Sequence, residues 1–218
     1  DFLVCSIFVN PLQFGTNEDL GAYPRTLEAD RESLEVENCD CLFLPSVEEI
    51  YGDNLELQTI IKVPGLTEKF CGSSRPGHFD GVATVVTKLF NMVQPDAAFF
   101  GLKDYQQFLV IQKLTQDLAL DIKIHGIETH REESGLAMSS RNNYLSKEQR
   151  QQAANLYSCL KDCAEKIAAG NSEFEQLEKT AKKALQKVYY TDKNLRLMSA
   201  PRMGATFLSP VVWLGMPP

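Results

Sequence analysis

At 218 residues, with a formal net charge of −7 at pH 7 and no run of lysine or arginine, the chain argues against a nucleic-acid or anionic-membrane surface, since neutralising phosphates needs a concentrated basic patch. With 44% hydrophobic and 23% charged residues it has the composition of a folded protein, long enough for one large or two modest domains. The longest apolar stretch, Phe2 to Val9, falls well short of the roughly 20 residues that a membrane-spanning helix requires.

The chain opens directly on that apolar stretch, which predicts a buried strand. It leads into Asn10-Pro11-Leu12-Gln13-Phe14-Gly15. In an open parallel sheet, ligands bind beyond the carboxyl ends of strands, so Asn10 and Gln13 stand where a substrate would sit. The same residues also suit a plain strand-ending turn, and the local sequence does not choose between the two. Further strands are predicted at Cys41 to Pro45, Leu57 to Val63, Ala97 to Phe100 and Ile122 to Ile127. Between them, Val82, Val85, Val86, Leu89, Phe90 and Val93 follow the helical apolar period, as do Phe108, Ile111, Leu114 and Leu118, with Pro95 closing the first helix. This alternation predicts an α/β fold with a parallel sheet over residues 1–129.

Within that region Arg75-Pro76-Gly77-His78-Phe79 is either a surface turn or a border of the site. The segment Phe100-Gly101-Leu102-Lys103-Asp104-Tyr105-Gln106-Gln107 reads as strand, tight turn and helix. It would aim backbone amides, a helix dipole and the Lys103 charge at a phosphate. Asp104 and Gln107 are also spaced as a helix cap. His125 and His130 read as structural.

From about residue 130 the pattern becomes helix-rich, predicting a smaller α+β domain over residues 130–218, with the polar stretch Thr129 to Gly135 as a hinge. Directly after it, Met138-Ser139-Ser140-Arg141 groups two hydroxyls and a guanidinium into a compact anion-binding element, which a lid could carry over a nucleotide. Capping boxes are predicted at Ser46/Glu49, Ser146/Gln149 and Ser172/Glu175. The last two open amphipathic helices with stripes at Ala153, Leu156, Tyr157, Leu160, Cys163 and Ile167, and at Phe174, Leu177, Ala181, Leu185 and Val188. Short strands are expected at Leu195 to Met198 and Val211 to Leu214. The six cysteines match no disulfide framework or zinc spacing and predict buried, reduced thiols in a cytosolic protein.

Taken in order, Phe-Val-Asn-Pro-x-Gln-Phe, Tyr23-Pro24-Arg25-Thr26-Leu27, Arg-Pro-x-His-Phe-x-Gly, Phe-Phe-Gly-x-Lys-Asp-Tyr-Gln-Gln and Ser-Gly-Leu-Ala-Met-Ser-Ser-Arg-Asn resemble the pantothenate synthetase family up to about residue 146. The resemblance implies a Rossmann-like nucleotidylyltransferase fold with a C-terminal lid. It also implies ATP-dependent joining of pantoate to β-alanine through pantoyl adenylate, with release of AMP and pyrophosphate. ATP would be held by Gly101, Leu102, Lys103, Asp104, His130, Met138, Ser139, Ser140 and Arg141, together with Mg²⁺. Pantoate would be held by Gln13 and Gln107, and β-alanine by Gln13. Asn10 would lie close to the reacting groups, with Lys103 and Arg141 stabilising the transition state. A cytoplasmic homodimer is implied as well, with no nucleic-acid or membrane partner. The family's Pro-Thr-Met-Gly-x-x-His-x-Gly-His segment would precede residue 1, and its Arg-Leu-Ile-Asp-Asn ending is replaced by Met216-Pro217-Pro218. The expectation is therefore that the intact protein is the enzyme and that these 218 residues alone are nearly inactive. The alternatives are a non-catalytic nucleotide-binding relative or another adenylyltransferase of the same fold.

Overall fold

The computed structural model describes residues 2–14 and 26–185 and the backbone of 186–189 and 212–216. Gly15, Tyr23, Pro24, Arg25, the strand expected at Leu195 to Met198 and the final two prolines lie outside the described residues. The chain divides into two compact units, residues 1–128 with 204–218, and residues 129–203.

In the first unit the elements are β1 (Phe2–Ser6), α1 (Leu27–Val36), β2 (Cys41–Phe43), α2 (Val47–Tyr51), α3 (Cys71–Ser74), α4 (His78–Val93), β3 (Ala97–Gly101), α5 (Tyr105–Asp117) and β4 (Lys123–Ile127). The second unit holds α6 (Lys147–Ala153), α7 (Asn155–Ala168) and α8 (Phe174–Tyr189), and β5 (Val212–Met216) follows. The sheet runs β2-β1-β5-β3-β4. β1 is parallel to β2 and β3 is parallel to β4, while β5 lies antiparallel to both β1 and β3. β5 therefore belongs to the sheet of the first unit, which corrects the sequence expectation that grouped all of 130–218 in a C-terminal domain. Because β1 and β3 both oppose β5, they run the same way, and their carboxyl ends share one edge of the sheet. With one strand between them their axes lie about 10 Å apart.

The core explains why α4 exists where it does. Its apolar positions recur on several faces, and Phe79, Val82, Ala83, Val85, Val86, Leu89 and Phe90 are all buried. On one side it joins Val4, Phe8, Ile50, Tyr51, Ala98, Phe100 and Ile111. On the other, Phe79 and Ala83 meet Val63, Val110 and Leu114. The helix stops at Gln94, which takes a left-handed conformation before Pro95.

Four sequence expectations change. Leu57 to Val63 is not a strand: a 3₁₀ turn covers Leu55–Leu57, and the Ile61 amide donates to the Thr84 hydroxyl at 2.9 Å instead of to a ladder partner. The apolar run there signals burial of Val63, not β pairing. The Ser46 and Ser146 boxes form as expected. The Ser172 box does not, because α8 starts at Phe174 and the Glu173 carbonyl accepts the Leu177 amide, so Glu173 occupies the cap position. The helix expected to run on from Ser146 breaks at Ala154 into α6 and α7. All six cysteines are unpaired, but only Cys5 is buried, and burial pushes its thiol up to about 12. Among the described residues no helix is long and apolar enough to cross a membrane.

Candidate active site

Two strand ends place the candidate site residues of the first unit. β1 leads into Asn10, which caps a 3₁₀ turn at Pro11–Gln13. Asn10 is completely buried. Its Oδ1 accepts from the Leu12 amide at 3.2 Å and the Tyr51 hydroxyl at 2.7 Å, and its Nδ2 donates to the Gly81 carbonyl at 3.1 Å and Gln13 Oε1 at 3.3 Å. An asparagine side chain offers two acceptor positions and two donors, and all four are taken. With all four engaged, Asn10 holds the turn beside the end of β1. It positions Gln13. Burial pushes the Tyr51 phenol well above its ordinary range, so it stays protonated and able to donate.

Gly81 is what lets this turn lie against α4. A Cβ there would stand 2.5 Å from the Leu12 carbonyl oxygen and 2.8 Å from the Gln13 amide nitrogen, closer than real side chains come. The backbone carbonyl of Gln13 is held in turn by His78 and Arg75. His78 Nδ1 lies 2.8 Å from it and Arg75 Nη2 3.4 Å, while Arg75 Nη1 lies 2.9 Å from His78 Nε2. All three side chains are buried. The Arg-Pro-Gly-His loop thus borders the candidate site, a choice its spacing alone left open.

The second strand end is β3. Gly101 has ordinary extended angles, φ −67° and ψ 129°, and a Cβ added there would meet no atom within 4 Å. Nothing in the surrounding fold demands glycine at 101, so the space above it is open to a ligand. Lys103 follows in the 3₁₀ turn Leu102–Asp104 and sits 3.7 Å from the Asp104 carboxylate. Asp104 occupies the cap position of α5 without a side-chain cap bond. Gln107, one turn into α5, is buried with its Oε1 unpartnered among the described residues. Its neighbour Gln106 is structural, donating to the Leu66 and Lys69 carbonyls and accepting from the Cys71 amide.

In the second unit the residues expected to hold a nucleotide are gathered by a hairpin. Arg131 and Ala137 bridge antiparallel, and the Met138 amide donates to the His130 carbonyl at 3.0 Å, so His130 and Met138 are joined directly. Gly135 turns the hairpin at φ 86°, a left-handed angle that glycine adopts without strain. The hairpin packs on α7, with the Arg131 guanidinium 3.7 Å above the Tyr157 ring. The Ser139 hydroxyl caps the following 3₁₀ turn by accepting the Arg141 amide at 3.2 Å, while Ser140 Oγ is buried without a partner among the described residues. Asn142, buried, donates to the Ala137 carbonyl and Glu132 Oε1, and the same carboxylate oxygen accepts from Arg150 at 2.9 Å. Sequence reasoning missed Tyr51 and Glu132, and it quoted Gly81 and Asn142 within motifs without giving either a role. The capping-box helix after Ser46 gave a hint of Tyr51's element.

A parallel-paired α/β sheet, with crossover helices and a glycine-led strand-to-helix junction beyond β3, defines a Rossmann-like protein of the nucleotidylyltransferase type. The profile of the family described as pantoate-beta-alanine ligase matches residues 1–208. The chain is 57% identical over 178 residues to the pantothenate synthetase of Alteromonas mediterranea, a match covering 82% of this chain and 63% of that protein's length. It is 50% identical to that of Shewanella loihica, covering 95% of this chain and 80% of that one. Among solved structures, pantothenate synthetase from Thermus thermophilus superposes with a TM-score of 0.79 at 48% identity, over 84% of this chain and 67% of the other. A pantoate-beta-alanine ligase from Francisella tularensis, complexed with beta-gamma ATP and β-alanine, gives 0.71 at 35% identity, over the same 84% and 67%. The chain belongs to the pantoate-beta-alanine ligase family.

Proposed function

We propose that the protein condenses pantoate with β-alanine at the expense of ATP, through a pantoyl adenylate. The observation that carries this reading is a pair of buried glutamines with spare hydrogen-bonding capacity beyond two strand ends on one edge of the sheet. Gln107 Oε1 is without a partner among the described residues, and Gln13, buried beyond the end of β1, accepts from Asn10 through its Oε1, which leaves its amide donors for a ligand. A buried carbonyl left unmatched is unfavourable, so a hydroxyl donor from the substrate would be welcome there. Pantoate, a dihydroxy acid, supplies hydroxyls for Gln107 and an acceptor for Gln13.

In this reading the pantoate carboxylate attacks the α-phosphorus of ATP and pyrophosphate leaves. Charge grows on the phosphoryl and leaving oxygens, where Lys103 and Arg141 favour the transition state over the ground state. The amine of β-alanine, brought near Gln13, then attacks the mixed anhydride, and AMP departs with the acyl–oxygen bond broken. Gly101, Leu102, Asp104, His130, Met138, Ser139 and Ser140 are assigned to the nucleotide, the serines and glycine through hydroxyls and backbone. Mg²⁺ would be carried on the phosphate oxygens of ATP and on water. When bound, it would neutralise phosphate charge. Six unpaired cysteines accord with a reducing cytoplasm, and the homodimer expected from family resemblance is checked by sedimentation.

The test is exchange of labelled pyrophosphate into ATP by the full-length protein. Exchange should require pantoate and proceed without β-alanine. Exchange indifferent to pantoate, or equally supported by unrelated carboxylic acids, overturns the assignment.

A further inference from the structure

We infer that Arg75 and His78 form a positioning couple that fixes the pantoate-facing turn through the backbone of Gln13, and that they do so with His78 neutral and protonated on Nδ1. The second half follows from hydrogen-bond inventory. Arg75 has only donors, so the His78 Nε2 that lies 2.9 Å from its Nη1 must present a lone pair. The Gln13 carbonyl has only acceptors, so the His78 Nδ1 that lies 2.8 Å from it must carry the hydrogen. One tautomer satisfies both contacts. The imidazolium cannot, because it would set a second N–H against the guanidinium.

The consequence for the site is mechanical. Gln13 is tethered at its side chain by Asn10 and at its carbonyl by His78 and Arg75, and its amide nitrogen abuts Gly81 on α4. His78 is the first residue of α4, so the most deeply buried helix of the unit sets the height of the turn. Neither Arg75 nor His78 needs to touch a substrate to govern where the Gln13 amide points. The inference rests on the assignment of Gln13 to pantoate, but its geometry can be tested without that assignment.

Nitrogen-15 NMR of the chain labelled in histidine should report the Nδ1–H tautomer for His78 at neutral pH, and an Nε2–H tautomer or an imidazolium overturns the inference. Carbonyl carbon-13 labelling at Gln13 reads the other end of the bond. That resonance should move in His78→Ala and return most of the way in His78→Asn, whose amide can restore a donor near the Nδ1 position; an unmoved resonance also overturns it. In calorimetric titrations, His78→Ala should weaken pantoate about tenfold, the scale of losing one buried hydrogen bond, with ATP affinity unchanged and His78→Asn recovering most of the loss. Equal losses for pantoate and ATP, or no rescue by asparagine, indicate a merely structural role and refute the couple. If the wild-type chain binds no pantoate, the functional reading fails, and the two NMR signatures still decide the positioning claim. Should His78→Ala not fold, Arg75→Lys serves instead, since lysine cannot span both His78 and Gln13 and should disturb the same two resonances. Unmoved resonances in that folded variant refute the couple as well.

Discussion

The two glutamine- and serine-bearing turns of this protein are held in place by different physics. The Gln13 turn of the first unit is pinned inside the core: Asn10 is fully enclosed, Gly81 lets the backbone press on α4, and Tyr51, Arg75 and His78 are all buried. Beside the Ser139–Arg141 turn of the second unit, buried Asn142 donates to Glu132, which pairs with Arg150, and the Glu132 and Arg150 side chains are 28% and 44% exposed. Behind it lies a thin cluster of Ala153 with Leu136, Leu145 and Leu185. A buried hydrogen-bonded network specifies one geometry, whereas exposed pairs contribute little and are screened by salt. The contrast teaches that the turn assigned to pantoate is set in a buried network, whereas part of the support near the turn assigned to ATP is an ion pair open to solvent.

The largest effect should come from the residue expected to act only in the transition state. Lys103→Ala in the full-length protein should slow adenylate formation by at least about 100-fold in a single turnover, the scale of losing one preorganised charge. A loss of tenfold or less would remove Lys103 from the chemistry. Next, Gly81→Ala should destabilise the first unit by about 2 kcal/mol, an overpacking effect read from denaturant unfolding, and weaken pantoate in parallel. Asn10→Ala should lower stability by a similar or slightly smaller amount, about 1–2 kcal/mol, by leaving the buried Tyr51 hydroxyl without its acceptor. Normal pantoate affinity in a folded Asn10→Ala protein would show that the turn does not need its keystone. The smallest effect belongs to the second unit: Glu132→Gln should weaken ATP by no more than about fivefold, within the range of an exposed ion pair. Raising salt should erode wild-type ATP affinity towards that of the variant, and a salt-independent difference would mean the clamp is not electrostatic.

How much of this was legible in the sequence follows from how local each signal is. The Ser46 and Ser146 boxes, the α4 stripe and its end before Pro95 depend on neighbours within one or two turns, and each appears where the spacing put it. Leu57 to Val63 misled because a run of apolar residues reports burial, and Val63 is buried against Phe79 without joining a sheet. α1 left no trace because it buries only Leu34 and so lacks a stripe. At the site, Asn10, Gln13, Lys103 and Gln107 could be picked out because they follow strands. The role of Asn10 could not, since its partners Tyr51 and Gly81 lie 41 and 71 residues away. For the same reason the Arg-Pro-Gly-His loop stayed undecided until His78 was seen to reach Gln13 across 65 residues.

The most direct test of a prebuilt pantoate site is amide hydrogen exchange of the chain with and without saturating pantoate. The account predicts slow exchange across residues 10–14 before ligand is added, with further protection on binding confined to that turn and to the start of α5 around Gln107. Fast exchange of residues 10–14 in the free protein, or protection by pantoate that appears elsewhere, would contradict it.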